Sequence, residues 1–193
     1  MLYMHLRVAL AVILLGIIAQ GRTQIPDSFR IRKIAVEGAS QFTADQIIAI
    51  SGLRSDSIAA PGIFETAKTR ILRAYSNRGC IQAHATVTSK PGTSADDDMK
   101  PADIVVRIDE GPVFSLRRLE FLGNKTTRDY IIRRWMLLNE GEPYGEDLLE
   151  LSLERLNRLR RFEPLSKKDV RMETHRDEKF VDLRLYVKEI RKR

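Results

Sequence analysis

The sequence predicts an α+β protein built from two tandem two-layer β-α-α-β-β domains. Each is expected to be a three-stranded mixed sheet covered by two antiparallel helices. Three observations predict this. Residues 29–57 (FRIRKIAVEGASQFTADQIIAISGLRSDS) lie over residues 114–142 (FSLRRLEFLGNKTTRDYIIRRWMLLNEGE) without a gap, so that Phe29 falls on Phe114, Gly38 on Gly123, Ile47 on Ile132 and Leu53 on Leu138. Helical spacing follows in both copies, at Phe64, Ala67, Ile71 and Tyr75, then at Leu149, Ser152, Leu156 and Leu159. Each copy closes on segments that alternate apolar and polar residues, 103–110 (DIVVRIDE) and 180–189 (FVDLRLYVKE), the pattern of strands with one buried face.

The elements can be justified in order. The strand at 31–36 is ambiguous in its facing, because Ile31 and Ile34 are three residues apart. Its counterpart places Leu119 and Phe121 on one face and Leu116 on the other. Thr43 precedes Gln46 by three and Thr126 precedes Asp129 by three, so both first helices start on a capping box or a close relative, each cap contributing about 1 kcal/mol. In the second copy Ile131, Trp135 and Leu138 share one helical face, which makes Trp135 a core anchor and Arg133 part of a solvated back. The next strands are expected at 83–89 and 170–174, and their partners close each sheet. Residues 90–102 (KPGTSADDDMKPA) form an exposed acidic loop in the first hairpin. Its aspartates lack the alternating spacing and closing Glu of a calcium loop.

The predicted boundaries are a signal peptide at 1–21, a first domain at 29–112 and a second at 113–190. Residues 8–19 (VALAVILLGIIA) are an apolar run after a basic start and before Ala19-Gln20-Gly21, the order of a cleaved secretory signal. The alternative is an uncleaved anchor extended through residues 2–6. Export would permit disulfides, but Cys80 is the only cysteine and is expected as a small buried hydrophobe. Gly111 and Pro112 join the domains by a short link, a candidate interdomain hinge with limited bending.

The formal charge is +7, with the excess in the second half. Residues 121–144 (FLGNKTTRDYIIRRWMLLNEGEPY), with Arg128, Arg133, Arg134 and Trp135, have the look of a DNA-reading helix. The repeat makes them a strand-turn-helix entry instead, and an exported protein is better matched to acidic protein surfaces or anionic lipid. Arg158, Arg160 and Arg161 are candidate lipid or partner contacts, with neighbouring arginines pairing to Glu150 and Glu154. Residues 191–193 are a basic tail. No enzyme is expected and no cofactor: His84 and His175 have no Cys or carboxylate at metal spacing, there is no phosphate loop, and no Ser is paired with a base.

With these residues in place, the second copy resembles a POTRA (polypeptide-transport-associated) domain, in particular that nearest the barrel in BamA-type outer-membrane assembly proteins. The resemblance rests on F-x-G-N at Phe121, Gly123 and Asn124, on 127–134 (TRDYIIRR), 140–144 (EGEPY), 152–159 (SLERLNRL), 161–163 (RFE), and on V-D-L and V-K-E at 181–183 and 187–189. The first copy matches more loosely, and Cys80 stands where an aromatic is usual. The resemblance implies a periplasmic, non-enzymatic module that binds unfolded outer-membrane proteins or assembly-machine subunits by adding their strands to a sheet edge. The candidate edge residues are Ala85, Val87, Val170 and Met172. No barrel-forming strands follow in this sequence, so membrane insertion is not carried over, and a periplasmic adaptor, a split-off part of an assembly machine and a decayed gene fragment stay open. The alternative is an inner-membrane-anchored POTRA protein of the FtsQ kind, if the N-terminal segment is retained.

Overall fold

The computed structural model describes residues 29–92 and 101–190. The signal segment, the aspartates of the acidic loop and the basic tail lie outside the described residues. The first domain runs β1 (Phe29–Glu37), α1 (Ala44–Ser51), β2 (Ile58–Ala59), α2 (Ile63–Ser76), β3 (His84–Pro91) and β4 (Pro101–Asp109). The second runs β5 (Ser115–Leu122), α3 (Asp129–Arg133), α4 (Glu146–Arg158), β6 (Val170–His175) and β7 (Phe180–Tyr186), with a 3₁₀ turn at Lys167–Asp169 before β6. The sheets are ordered β2-β1-β4-β3 and β5-β7-β6. In each, the first strand is parallel to the last and the remaining pairs are antiparallel, the mixed sheet expected of a crossover through two helices.

The first sheet departs from expectation by carrying β2 as a fourth strand. Two residues suffice for it, with Phe29 opposite Ala59 and Arg30 opposite Ile58. In the second domain the same place holds a single bridge, Ser115 to Pro143. The predicted acidic loop is also shorter than expected, because Lys90, Pro91, Pro101 and Ala102 belong to the hairpin strands, with Pro91 opposite Ala102.

One correction explains both strand-facing problems. Leu116, Leu119 and Phe121 are all buried, so Leu116 does not point away from the other two. The register shifts between Leu116 and Arg118, making Arg117 an extra residue that opposes nothing on β7. A bulge of one residue rotates the strand and returns Leu116 to the face of Leu119. The first domain does the same at Arg32, which brings Ile31 and Ile34 to one buried face. Each bulged arginine turns to the outer face and forks onto an aspartate of the neighbouring strand. Arg32 reaches Asp103 at 2.8 and 2.7 Å, and Arg117 reaches Asp182 at 3.0 and 2.7 Å.

The turn after each first strand is equally repeated. Gly38 and Gly123 have φ of 82° and 95°. A Cβ there would collide with the carbonyl oxygens of Ile108 and Val187 respectively, so only glycine fits.

Helix α1 starts as predicted. The Thr43 side chain accepts from Gln46 N–H and the Gln46 side chain accepts from Thr43 N–H. Helix α3 does not. Its N-cap is Arg128, without a side-chain cap, and it ends after five residues. Thr126 N–H and Thr127 N–H instead donate to the Glu189 carboxylate, which replaces the local cap with one drawn from the far end of the domain. The short helix also breaks the predicted stripe. Ile132, Met136 and Leu138 are buried, while Ile131 and Trp135 are only half-buried. Trp135 therefore flanks the core rather than anchoring it, with the Arg155 guanidinium 5.7 Å over its ring. The buried residues of α2 (Ala67, Ile71, Tyr75) and α4 (Leu149, Ser152, Leu153, Leu156) supply the helix side of two separate cores, with Phe64 and Leu159 half-buried at their margins.

Candidate functional site

A sheet strand exposes backbone donors and acceptors on any side that lacks a neighbour. In both domains part of the outer side of the first strand is covered. Ile31 N–H donates to Ser57 and its oxygen accepts from Asp56, at 2.8 and 2.7 Å, beside the pairing with β2. In the second domain Leu116 N–H donates to Glu142, and Gly141 N–H donates back to Leu116. Further along, side chains take over. Leu119 N–H donates to Glu140 Oε1 at 2.7 Å, and Arg133 Nη2 donates to the Leu119 oxygen at 2.7 Å. Arg133 also pairs with Glu140 at 3.2 Å and with Asp129 at 3.5 Å. Arg133 is exposed, as expected, and with Glu140 it also imitates a neighbouring strand along one residue of β5.

The opposite sides differ. Among the described residues no strand pairs with the far side of β3 or of β6. The four candidate edge residues lie on these strands, with Ala85 opposite Ile108, Val87 opposite Val106, Val170 opposite Leu185 and Met172 opposite Leu183. All four partners are buried, so the candidates share the helix-covered face. Ala85 is buried and Val87 half-buried, whereas Met172 is 36% exposed. Thr86, Thr88, Arg171 and Glu173 stand exposed on the other face. The second edge therefore offers a polar outer face and an accessible apolar thioether on the inner one.

The joint around Gly111 and Pro112 is bracketed by contacts between domains. Gly111 has φ 62°, and shortly beyond it Phe114 N–H donates to Gly79 O at 2.9 Å. Val113 packs against the first core and Ile81 against the second. On the helix side, Arg73 pairs with Asp147 at 2.6 Å and Glu150 at 2.5 Å. Asn77 Nδ2 donates to Asp147 Oδ2 at 2.5 Å, and Asp147 N–H donates back to Asn77 Oδ1 at 2.8 Å. Glu150 is thereby engaged with Arg73 and with Lys167, not with the arginines of its own helix as the sequence suggested. Sequence reasoning found the short link but missed these helix-side contacts, because their partners lie some seventy residues apart and no local pattern signals them.

Glu110 closes the first domain just before the joint. Its carboxylate accepts from Ser40 N–H at 2.6 Å, Gln41 N–H at 2.8 Å, Tyr75 Oη at 2.8 Å and the Ser40 hydroxyl. Burial alone would raise its pKa, but these donors outweigh burial and bring it down to about 2. Glu189 repeats the device with Thr126 and Thr127 and is likewise lowered to about 2. Cys80 is buried beside this cluster, and burial followed by the Glu110 charge pushes its thiol up, which disfavours thiolate chemistry. Arg158, Arg160 and Arg161 are exposed at the end of α4 and in the turn beyond it. Among the described residues no group of His, Cys, Asp and Glu could hold a metal ion, and no helix is long and apolar enough to cross a membrane.

Two repeated α+β units, each with a partly covered first strand and an outer strand that has one strand neighbour, define a tandem of like modules. The family model for POTRA, described as surface antigen variable number repeat, matches residues 29–111 and again 114–190, and the chain belongs to the POTRA family. Among solved structures it is similar to the crystal structure of Haemophilus influenzae BamA POTRA3-5, at 26% identity and a TM-score of 0.60. That match covers 84% of this chain and 61% of that one. BamA from Haemophilus ducreyi lacking POTRA domains 1–3 matches in fold, at 21% identity and a TM-score of 0.66, over 84% of this chain and 30% of that one. The chain thus spans less than two thirds of either.

Proposed function

We propose that this tandem is a periplasmic polypeptide-binding module of outer-membrane protein assembly, which takes an extended segment of an unfolded client or of a partner subunit along an open sheet edge. The observation that carries the reading is the asymmetry of the edges. The outer sides of β1 and β5 are occupied in part, by β2 at Phe29 and Arg30 in one domain and by Glu140 with Arg133 at Leu119 in the other, while β3 and β6 have a single strand neighbour each. Backbone pairing at an edge tolerates many sequences, which suits a binder of varied clients. Membership of the POTRA family and the likeness to BamA support the setting. Of the two edges, β6 is the better receiver, because Met172 is accessible where Ala85 is buried. Gly111 and Pro112 act as the hinge that sets the angle between the two edges, and Arg158, Arg160 and Arg161 form a separate contact for an anionic partner.

Titration of isotopically labelled protein with an extended peptide from an outer-membrane β-strand tests the reading. Amide shifts are expected along residues 170–174, with weaker ones along 84–89. Shifts confined to the helices, with none on either strand, would overturn edge pairing.

A further inference from the structure

The turn after α2 forms one half of the joint between the domains, and the turn after α4 repeats it. Gly79 and Arg160 both occupy the left-handed region, with φ of 84° and 51°. Their N–H groups donate three residues back, to Ser76 at 3.1 Å and to Asn157 at 3.2 Å. Counted from these two residues, Arg158 stands in the place of Asn77 and Arg161 in the place of Cys80. In the first domain this face holds the acidic first turn of a helix. Asn77 exchanges two hydrogen bonds with Asp147, and Arg73, one turn earlier, grips Asp147 and Glu150.

In the second domain the face is more basic. Arg158 replaces Asn77, the exposed Arg161 follows where the first domain has the buried Cys80, and a third cation occupies the left-handed position. Glu154 takes the place of Arg73, so the positive charge moves toward the turn rather than being copied. Among the described residues, none of the three guanidinium groups lies within salt-bridge distance of a carboxylate, and nearby Glu163 is held by Lys188 at 2.7 Å. An arginine in the left-handed region is strained where a glycine would not be. Among the described residues that strain secures no intramolecular ion pair.

We propose that this face of the second domain docks an acidic polypeptide segment of the kind that α4 presents to the first domain, with carboxylates spaced within one turn at a helix start. The proposal rests on the reading of Arg158, Arg160 and Arg161 as a partner contact and is independent of pairing at β6. The guanidinium fork matches a carboxylate in two bonds, and it matches a lipid phosphate equally well. The experiment therefore separates the two.

The probe is an acetylated, fluorescently labelled peptide carrying the sequence of residues 145–156 (GEDLLELSLERL), added to the full chain at low ionic strength and followed by anisotropy. A control peptide carries amides in place of the carboxylates at the positions of Glu146, Asp147 and Glu150. Saturable binding is expected, weaker by about tenfold or more for the control peptide and for the Arg158→Ala/Arg161→Ala variant. Arg73→Ala, at the joint, should leave it unchanged. Arg160→Gly should weaken binding while raising the melting midpoint, which a purely structural arginine would not do. Binding that survives the arginine substitutions, or that depends on Arg73 instead, overturns the proposal. So does an absence of peptide binding, whether or not the chain sediments with phosphatidylglycerol vesicles in preference to phosphatidylcholine ones. Because these residues lie away from β6, failure here leaves the amide-shift test of edge pairing untouched.

Discussion

Arg133 donates to the backbone oxygen of Leu119 at 2.7 Å, and so a side chain closes a sheet edge that no strand covers. Glu140 completes the closure by accepting the Leu119 N–H. Removing either partner leaves a half-buried backbone group unsatisfied. Glu140→Ala is expected to cost about 1–2 kcal/mol, with faster hydrogen exchange at the Leu119 amide. Glu140→Gln, which keeps an acceptor oxygen, should restore most of the protection. An unchanged exchange rate in Glu140→Ala would show that the edge is closed by other means.

The bulge at Arg117 makes an unambiguous forecast about facing. Leu116→Ala should cost about 2–5 kcal/mol, as a buried leucine does. Leu122→Ala, on the outer face and 40% exposed, should fall within about 0.5 kcal/mol of the parent. Chemical denaturation distinguishes this from plain alternation of the strand, which would leave Leu116 on the outer face and make its loss nearly harmless.

The Glu110 carboxylate supplies a pH dependence whose sign follows from its depressed pKa. A carboxylate near 2 in the fold and near 4.5 in the unfolded chain contributes stability that is fully present above about 4.5 and is lost as pH falls toward 2. Carbon-detected titration should find this carboxyl still charged near pH 3. Glu110→Gln should be less stable at pH 7 and should show a shallower acid limb, because the group that titrates is gone. An acid limb identical to the parent's would assign that stability elsewhere.

At the joint, Asn77 and Asp147 exchange two hydrogen bonds across the domains, and Arg73 adds a charge. Asn77→Ala with Arg73→Ala should leave each domain folded and widen the distribution of their relative orientation. Residual dipolar couplings measure this directly: one alignment tensor fits both domains in the parent, and two are expected in the variant. A single shared tensor in the variant would mean that Gly79, Phe114 and the short link fix the angle by themselves.

Much of this architecture could be read from the residues, because the duplication let each copy vouch for the other. Strand and helix order followed from period, and the Thr43 capping box followed from a spacing of three. The failures share a physical origin. Alternation assumes one residue per step, and it fails at Arg32 and Arg117, where two residues oppose one. Cap rules assume that a helix finds its own first-turn partners, whereas Thr126 and Thr127 find theirs in Glu189, more than sixty residues away. Helical spacing assumed that the helix of Ile131 continued to Leu138, and it stops at Arg133. The candidate edge residues fall on β3 and β6, which are outer strands, because outer strands in a short sheet are few. The covering of the other edges by β2, Glu140 and Arg133 depends on contacts that leave no mark in a local window.

The bulge shared by the two domains has one more consequence, which concerns counting rather than chemistry. A strand's period is two, so an extra residue taken up in the ladder would exchange its wet and dry faces, and a bulge leaves that residue out of the ladder. Substituting Arg117 would loosen its fork on Asp182 but leave the tally of residues intact. Deleting it would leave Leu116, Arg118 and Leu119 in plain alternation opposite Val181, Asp182 and Leu183, so the dry face would survive the loss. At this position, and at Arg32, the ladder passes over one residue without counting it, and what that residue adds is its grip on the aspartate next door.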